Sequence, residues 1–311
     1  KGGPSFVEPL RHSALAPGAK LWGVVTTVTP GRVDVALPVG LRGSARGAGA
    51  AALPLPHARG AAPGPTTSPP LTDLYYPGQY VRCAVVDLPS GGRGERRVEL
   101  TMAPAAVCAG LPPAAVLTPG APVPAWVASE EDHGWVMEMG VPGVTAFLPR
   151  ADGPLDPDTG RLRASLARGA QVECVVASAP PGRKDGQGGS SGGVVRLTAA
   201  PPAGSPGPPC KEPAGATLGG LVPGSLVTAT VDRLLADGAA LTLWGCLPAT
   251  ADGFHLPPGA LAGPSALKEG ARVRARIVHV DPDAKAVRLS LLPHLLARAP
   301  GPAADLPAPG T

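Results

Sequence analysis

The sequence predicts an all-β protein made of three similar units, each with about five short strands. Three observations support this prediction. A set of three landmarks recurs three times along the 311 residues. Every landmark alternates β-branched residues with polar or small ones, which is typical of strands. Aromatic residues make up only 3% of the chain, and small β-barrels need few large core side chains.

The first landmark is a Pro-Gly step followed by an apolar run. It predicts the first strand of each unit, and it recurs at a spacing of about one hundred residues, in residues 17–28, 119–130 and 223–234. Self-similarity at a fixed period is the signature of a repeated structural unit.

The second landmark is a Gly, two residues, and then alternating valines or isoleucines. It predicts the fourth strand and occurs in residues 76–88, 166–178 and 267–280. The third landmark closes each unit as Val-Glu-Leu-Thr, Val-Arg-Leu-Thr and Val-Arg-Leu-Ser, in residues 98–101, 195–198 and 287–290. Turn-forming residues separate these last two strands in every unit, as at Asp281-Pro282-Asp283.

Five strands in about 70–80 residues, with a long connection after the third, suit an OB-type Greek-key barrel. The predicted fold is therefore three tandem five-stranded OB-fold barrels joined by Pro/Gly/Ala-rich linkers. The predicted barrels cover 15–103, 119–200 and 222–293. The first contains an insertion at about 47–70 that we expect to be disordered, and the linkers are 104–118 and 201–221, with a tail at 297–311.

Composition supports folded units separated by linkers. Gly and Pro number 43 and 42, a level usual in disordered chains, yet 44% of residues are hydrophobic. The five cysteines contain no Cys-x-x-Cys pair, so neither a disulfide framework nor a zinc site is predicted, and a reducing compartment is expected. No apolar stretch approaches the roughly 18 residues of a membrane span. We expect a soluble chain, and a fragment of a longer one.

The amino-acid sequences of several segments resemble those of a known family. Residues 129–149, "SEEDHGWVMEMGVPGVTAFLP", resemble tandem RNA-binding domains of the ribosomal protein S1 type. Together with "PGQYVRCAVV" (77–86) and "AVRLSLLPHLL" (286–296), they are similar to the amino-terminal repeats of the programmed cell death protein 11 family. These are large ribosomal RNA-processing factors with many S1 repeats, and the resemblance covers roughly 15–296.

The resemblance implies a role and a location. A member of this family is expected to be an RNA-binding assembly factor for pre-ribosomes in the nucleolus of the nucleus. Its expected partners are precursor ribosomal RNA, small nucleolar ribonucleoprotein components and other pre-ribosome assembly factors.

The resemblance also implies an RNA face with an aromatic on strand two, an aromatic or His near strand three, and scattered basic residues. Such a face stacks bases and holds phosphates. In unit two the matching residues are Trp135, Phe147 and the neighbouring His133, although Ala146 stands where related domains often have His. Trp135 and Phe147 could instead belong to the core.

Units one and three lack an aromatic at the matching strand-two position, where they have Val33 and Val35, and Ala239 and Ala240. Two sets of arginines are further candidates for phosphate contact, and either set could be an ordinary solvated surface. They are Arg272, Arg274 and Arg276 on one predicted strand face, and Arg93, Arg96 and Arg97 in a predicted hairpin.

Catalysis is not predicted. Asp132 and His133 precede a strand with no Ser or Cys nucleophile motif nearby, and phosphate-loop, dinucleotide and zinc-protease motifs are missing. No cofactor or metal is expected. The leading hypothesis is an RNA-binding scaffold in ribosome biogenesis. The alternative is a protein-interaction scaffold whose degenerate barrels dock on other factors, since the net charge is only +4. A ribonuclease with accessory barrels is a third hypothesis, disfavoured because no room remains for a catalytic domain.

Overall fold

Alternation of apolar and polar residues produces fifteen strands in the part of the chain that the structure describes. The structure is a computed structural model, and it describes residues 6–50, 69–88, 97–113, 118–156, 161–178, 194–199, 217–263 and 266–297. Most of the predicted insertion, most of the predicted linker 201–221 and the predicted tail lie outside these ranges, apart from residue 297 at the start of the tail.

The strands fall into three units of five. Unit one contains β1 (Lys20–Thr29), β2 (Arg32–Ala36), β3 (Arg42–Arg46), β4 (Tyr80–Asp87) and β5 (Arg97–Thr101). Unit two contains β6 (Pro122–Glu131), β7 (Gly134–Glu138), β8 (Thr145–Pro149), β9 (Gln171–Ser178) and β10 (Val194–Thr198). Unit three contains β11 (Leu226–Leu235), β12 (Gly238–Leu243), β13 (Leu247–Asp252), β14 (Arg272–Asp281) and β15 (Ala286–Ser290).

Helices are short and lie between strands or at the edges of units. Four single-turn α-helices are described: α1 (Gly47–Ala50), α2 (Leu71–Leu74), α3 (Pro104–Val107) and α4 (Pro293–Leu296). Short 3-10 turns occur as well, at His12–Ala14, Pro38–Gly40, Arg150–Asp152, Leu218–Gly220 and Gly253–His255. None of the described helices is long and apolar enough to cross a membrane.

The same strand pairings occur in each unit. The first strand pairs antiparallel with the second and the fourth, and the third pairs parallel with the fifth. The first strand carries a bulge at the same place each time, at Val25/Thr27, Val127/Ser129 and Val231/Arg233. A bulge bends the strand and increases its twist, so all three units curl alike.

Unit two is a closed barrel of five strands, β10-β8-β7-β6-β9. The strands of units one and three form one ten-stranded sheet, because β1 also pairs with β14, with Lys20 opposite Val280 and Leu21 opposite His279. The prediction of a mostly β chain with five-stranded closure is confirmed. The pairing of β1 with β14 joins units one and three in one sheet, whereas the sequence predicted three separate barrels.

A buried polar junction connects all three units. We define the junction as Trp22, Arg82, Gln171, Glu173 and Arg276. Arg82 of β4 is 1% exposed, and its guanidinium forms an ion pair with Glu173 of β9 at 2.8 Å. Its Nε also donates to the carbonyl of Pro223, just before β11, at 2.5 Å. One side chain of unit one thus binds both other units.

The remaining junction residues complete this network. Gln171 Nε2 donates to the carbonyl of Arg82, while the amide of Arg82 donates to Gln171 Oε1, both at 3.2 Å. Arg276 of β14 lies over the Trp22 ring at 5.2 Å and donates to the carbonyls of Gly224 and Leu295 at 2.7 and 2.6 Å. Each buried cation therefore has acceptors in place of water, as a buried charge requires.

The segment before β1 also contacts unit three. Arg288 Nη1 donates to the carbonyl of Glu8 at 2.5 Å, and a Cβ at Gly238 would come within 3.1 Å of Val7. Further along the chain, the residues predicted as the first linker pack as well, since Val107 and Cys108 are buried and Lys20 Nζ donates to the carbonyl of Ala109.

The ion pair of the junction predicts a large effect of a single truncation. Replacing Arg82 with Ala would leave the Glu173 carboxylate buried without its partner, which typically costs about 3–5 kcal/mol of stability. The free energy of unfolding, from urea denaturation followed by tryptophan fluorescence, should fall by about that amount. Arg168→Ala, at an exposed arginine of unit two, is the matched control and should change it by less than about 0.5 kcal/mol. Equal effects of the two substitutions would contradict this account of the junction.

A second prediction concerns acid. Burial at the β1–β14 pairing lowers the pKa of His279 to about 4, with a further lowering from Arg288 and an opposing effect of Asp281. The unfolded chain, where a histidine has a pKa of about 6.5, therefore binds more protons between pH 6.5 and 4. Stability should be full above pH 6.5 and fall toward pH 4, by up to about 1.4 kcal/mol per pH unit. His279→Leu should flatten this slope in denaturation measured across the range, and an unchanged slope would show that His279 does not cause it.

Candidate nucleic-acid interface

The outer surface of β7, β8 and β10 in unit two carries an accessible aromatic. Phe147 of β8 is half-buried and lies opposite Val136 of β7 and Arg196 of β10. Residues opposite each other in a sheet point to the same side, so the three side chains form one patch. We call Val136, Phe147 and Arg196 the unit-two face.

A glycine shapes one edge of this face. A Cβ at Gly134 would lie 2.2 Å from the carbonyl oxygen of Leu148 and 2.8 Å from Cζ of Phe147. The phenyl ring therefore covers Gly134, and no larger residue fits beneath it. His133, the preceding residue, is exposed, and its carbonyl accepts from the amide of Arg150 at 2.9 Å. His133 thus precedes the glycine that Phe147 covers, and its role in RNA binding stays a prediction.

Two arginines of unit two, one of them on the face, form ion pairs with carboxylates. Arg196 is 58% exposed and forms an ion pair with Asp152 at 3.0 Å. Arg150 pairs with Glu130 at 2.9 Å. Hydrogen bonds from Ser165 and then Arg150 hold the pKa of Glu130 below its usual value. An exposed ion pair contributes little to stability, so Arg196 can exchange Asp152 for a phosphate at small cost.

Trp135 does not lie on this face, and its predicted stacking role is wrong. The alternation of β7 turns Trp135 and Met137 into the barrel, where both are 0% exposed. The indole packs against Gly153, and Arg150 lies over it at 5.0 Å. The pleat reverses direction at every residue, so the outward position next to Trp135 belongs to Val136. The accessible aromatic of unit two is Phe147.

The predicted arginines differ widely in exposure. Arg272 and Arg274 are exposed on β14, and their role in RNA binding stays a prediction. Arg276 is 5% exposed within the junction, so its predicted phosphate contact is wrong, because its guanidinium donates to the backbone carbonyls of Gly224 and Leu295. Arg97 pairs with Asp34 at 2.6 Å. The other two hairpin candidates, Arg93 and Arg96, lie outside the described residues.

Unit one has a basic face that was not predicted from the sequence. Arg42 and Arg46 are exposed on β3, and Arg46 lies opposite Arg32 of β2, which is paired with Asp34 at 3.0 Å. The signal was present in the sequence as arginines at even spacing, "RGSAR". Val33 and Val35, where an aromatic was sought, point into the core.

Unit three carries an open groove of about 560 Å³ on its corresponding surface. Small residues such as Ala240, Pro248 and Thr250 are part of its lining. The lining also carries charges of both signs, from Arg233 and Lys285 to Glu269. None of the described residues that line this groove is aromatic, so they offer no stacking surface. Among the described residues, no group of three or more His, Cys, Asp or Glu side chains could hold a metal ion.

Comparison with known proteins reveals relatives over most of the chain. The rRNA biogenesis protein RRP5 of Arabidopsis thaliana is 27% identical over 299 residues, 94% of this chain. The protein RRP5 homolog of Homo sapiens is 29% identical over 93% of the chain, and that of Mus musculus is 31% identical over 73%. This chain is a relative of the RRP5 proteins. The resemblance predicted from the sequence is thereby confirmed.

The match to RRP5 covers only part of those proteins. The chain spans 14% of the Arabidopsis RRP5 and 15% of the human one. No family model matches the chain. Among solved structures, an a/eIF2alpha–aDim2p–rRNA complex from Pyrococcus horikoshii OT3 is 31% identical over 23% of this chain and 44% of its own. Its TM-score of 0.21 is too low to support a shared fold.

The two aromatics of unit two should differ in their effect on stability. Trp135→Ala would open a cavity in the barrel and should lower the free energy of unfolding by about 3–5 kcal/mol. Phe147→Ala removes a half-buried side chain on the surface and should cost clearly less. Urea denaturation followed by circular dichroism measures both. A larger loss for Phe147→Ala would contradict the assignment of Trp135 to the core.

Proposed function

We propose that this chain is an RNA-binding scaffold of a ribosome-biogenesis factor, acting on precursor ribosomal RNA. The single observation that carries the proposal is the similarity to RRP5 proteins over most of the chain, since those relatives are named for rRNA biogenesis. The accessible Phe147, with Arg196 opposite it on β10, supports RNA as the ligand. The proposal assigns binding to the chain and not catalysis.

We further propose that all three units are OB-type barrels of the S1 kind. The pairings β1–β4 and β11–β14, which correspond to β6–β9 in unit two, support this proposal. Strands two and three of an OB-fold are its usual surface for oligonucleotides, and Phe147 lies on strand three of unit two. Arg42 and Arg46 occupy the same strand of unit one and would supply phosphate contacts.

Each face alone offers few contacts, so affinity would come from several units acting on one RNA. Linked sites raise the effective concentration of each other, and the junction holds the units at set positions. A nucleolar location within the nucleus follows from this role. Small nucleolar ribonucleoprotein components and other assembly factors are proposed as partners in the same particle.

A test of RNA binding compares two phenylalanines, the half-buried Phe147 and the exposed Phe6. Fluorescence anisotropy of a labelled single-stranded RNA should show binding that weakens with salt, since phosphate contacts release counterions. Phe147→Ala should weaken binding by about tenfold, because one base loses its stacking partner.

The matched control is Phe6→Ala, which removes a 52%-exposed phenylalanine outside the unit-two face. It should leave affinity unchanged. Binding that neither responds to salt nor differs between the two variants would refute the interface, and absence of binding would favour a scaffold for proteins.

A further inference from the structure

The fourth strands of the three units place three residues at one equivalent position. Each fourth strand pairs with its first strand over five residue pairs. The central pair is Arg82 with Trp22 in unit one, Glu173 with Pro124 in unit two and Arg274 with Thr228 in unit three. Because the register is the same, Arg82, Glu173 and Arg274 occupy the same point on the outer surface of their units.

Units one and two bind each other through this position. Arg82 and Glu173 form the 2.8 Å ion pair of the junction, with side chains 1% and 15% exposed. The position two residues earlier is Tyr80 in unit one and Gln171 in unit two, and Gln171 hydrogen-bonds the backbone of Arg82. The outer surface of the fourth strand is therefore the surface on which one unit docks against another.

Unit three leaves the same position open. Arg274 is exposed, and so is Arg272, which corresponds to Tyr80 and Gln171. Neither arginine has a hydrogen bond or ion pair within the described residues. Arg276, on the same side of the same strand, is buried in the junction. The open arginines thus continue an interface that already exists.

We propose that Arg272 and Arg274 form a docking surface for another protein, which presents carboxylates as unit two presents Glu173 to Arg82. Two observations favour protein over RNA here. The residues opposite the arginines on β11 are Thr228 and Thr230, so no aromatic is available in these pairs to stack a base. At the equivalent position of unit one, the partner of Arg82 is a protein carboxylate, that of Glu173 on β9. This surface is separate from the unit-two face proposed for RNA.

The test uses the full chain and a defined acidic probe. The probe is a fluorescein-labelled peptide in which Glu and Thr alternate, and its uncharged counterpart alternates Gln and Thr. The Glu peptide should bind the wild-type chain in fluorescence anisotropy. The double variant Arg272→Glu/Arg274→Glu should bind it at least about tenfold more weakly, because like charges then face each other. Arg272→Gln/Arg274→Gln should lie between the two.

Matched controls separate this surface from general charge. Arg168→Glu makes the same kind of charge change at an exposed arginine of unit two and should leave the affinity for the Glu peptide unchanged. The Gln peptide should not bind. Circular dichroism should show the same fold for every variant, since each substituted side chain is exposed.

The RNA of the preceding test distinguishes the two ligands. The double variant Arg272→Glu/Arg274→Glu should change the affinity for RNA no more than the control Arg168→Glu does. A specific loss of RNA binding with unchanged peptide binding would overturn the proposal and assign these arginines to RNA. Peptide binding that is absent, or that ignores the reversal, would overturn it as well. Neither result depends on Phe147, so the proposal of RNA binding at unit two is tested independently of this one.

Discussion

The arrangement of this protein depends on one buried cation, the guanidinium of Arg82. It pairs with Glu173 of unit two and donates to the backbone before β11 of unit three, while its own strand belongs to unit one. Removing a charge from water is costly unless good partners replace the water. The guanidinium has all of its partners only while the three units stay in place, and a change that removes one partner leaves a buried charge unpaired.

The junction uses one side of the units and leaves another free. The outer surfaces of β4 and β9 form contacts between units. Arg276 on β14 belongs to the same junction. The surfaces of the second and third strands are not needed for these contacts. A repeated barrel thus has one surface for assembly and another for ligands, and the three ligand surfaces differ: arginines in unit one, Phe147 in unit two, and an aromatic-free groove in unit three.

The site could be predicted only in part. Sequence identified unit two and named Phe147 and His133, but assigned the main role to Trp135. Trp135 is one residue away from the outward position, and one residue in a strand reverses the side of the sheet. The arginines show a similar limit, since Arg272, Arg274 and Arg276 alternate on one strand side and still divide into two exposed and one buried.

The sequence by itself determined the strands, their order and the threefold repeat, because alternation and turn residues act over a few neighbouring residues. It also determined the likeness to RRP5. Only the tertiary structure decided which outer surfaces are buried. Arg82 in "VRC" and Arg274 in "VRA" have nearly the same local sequence. Arg82 is buried and Arg274 is exposed because another unit covers the first and no described residue covers the second. Burial of a strand surface is set by what docks on it, which comes from residues distant in the chain.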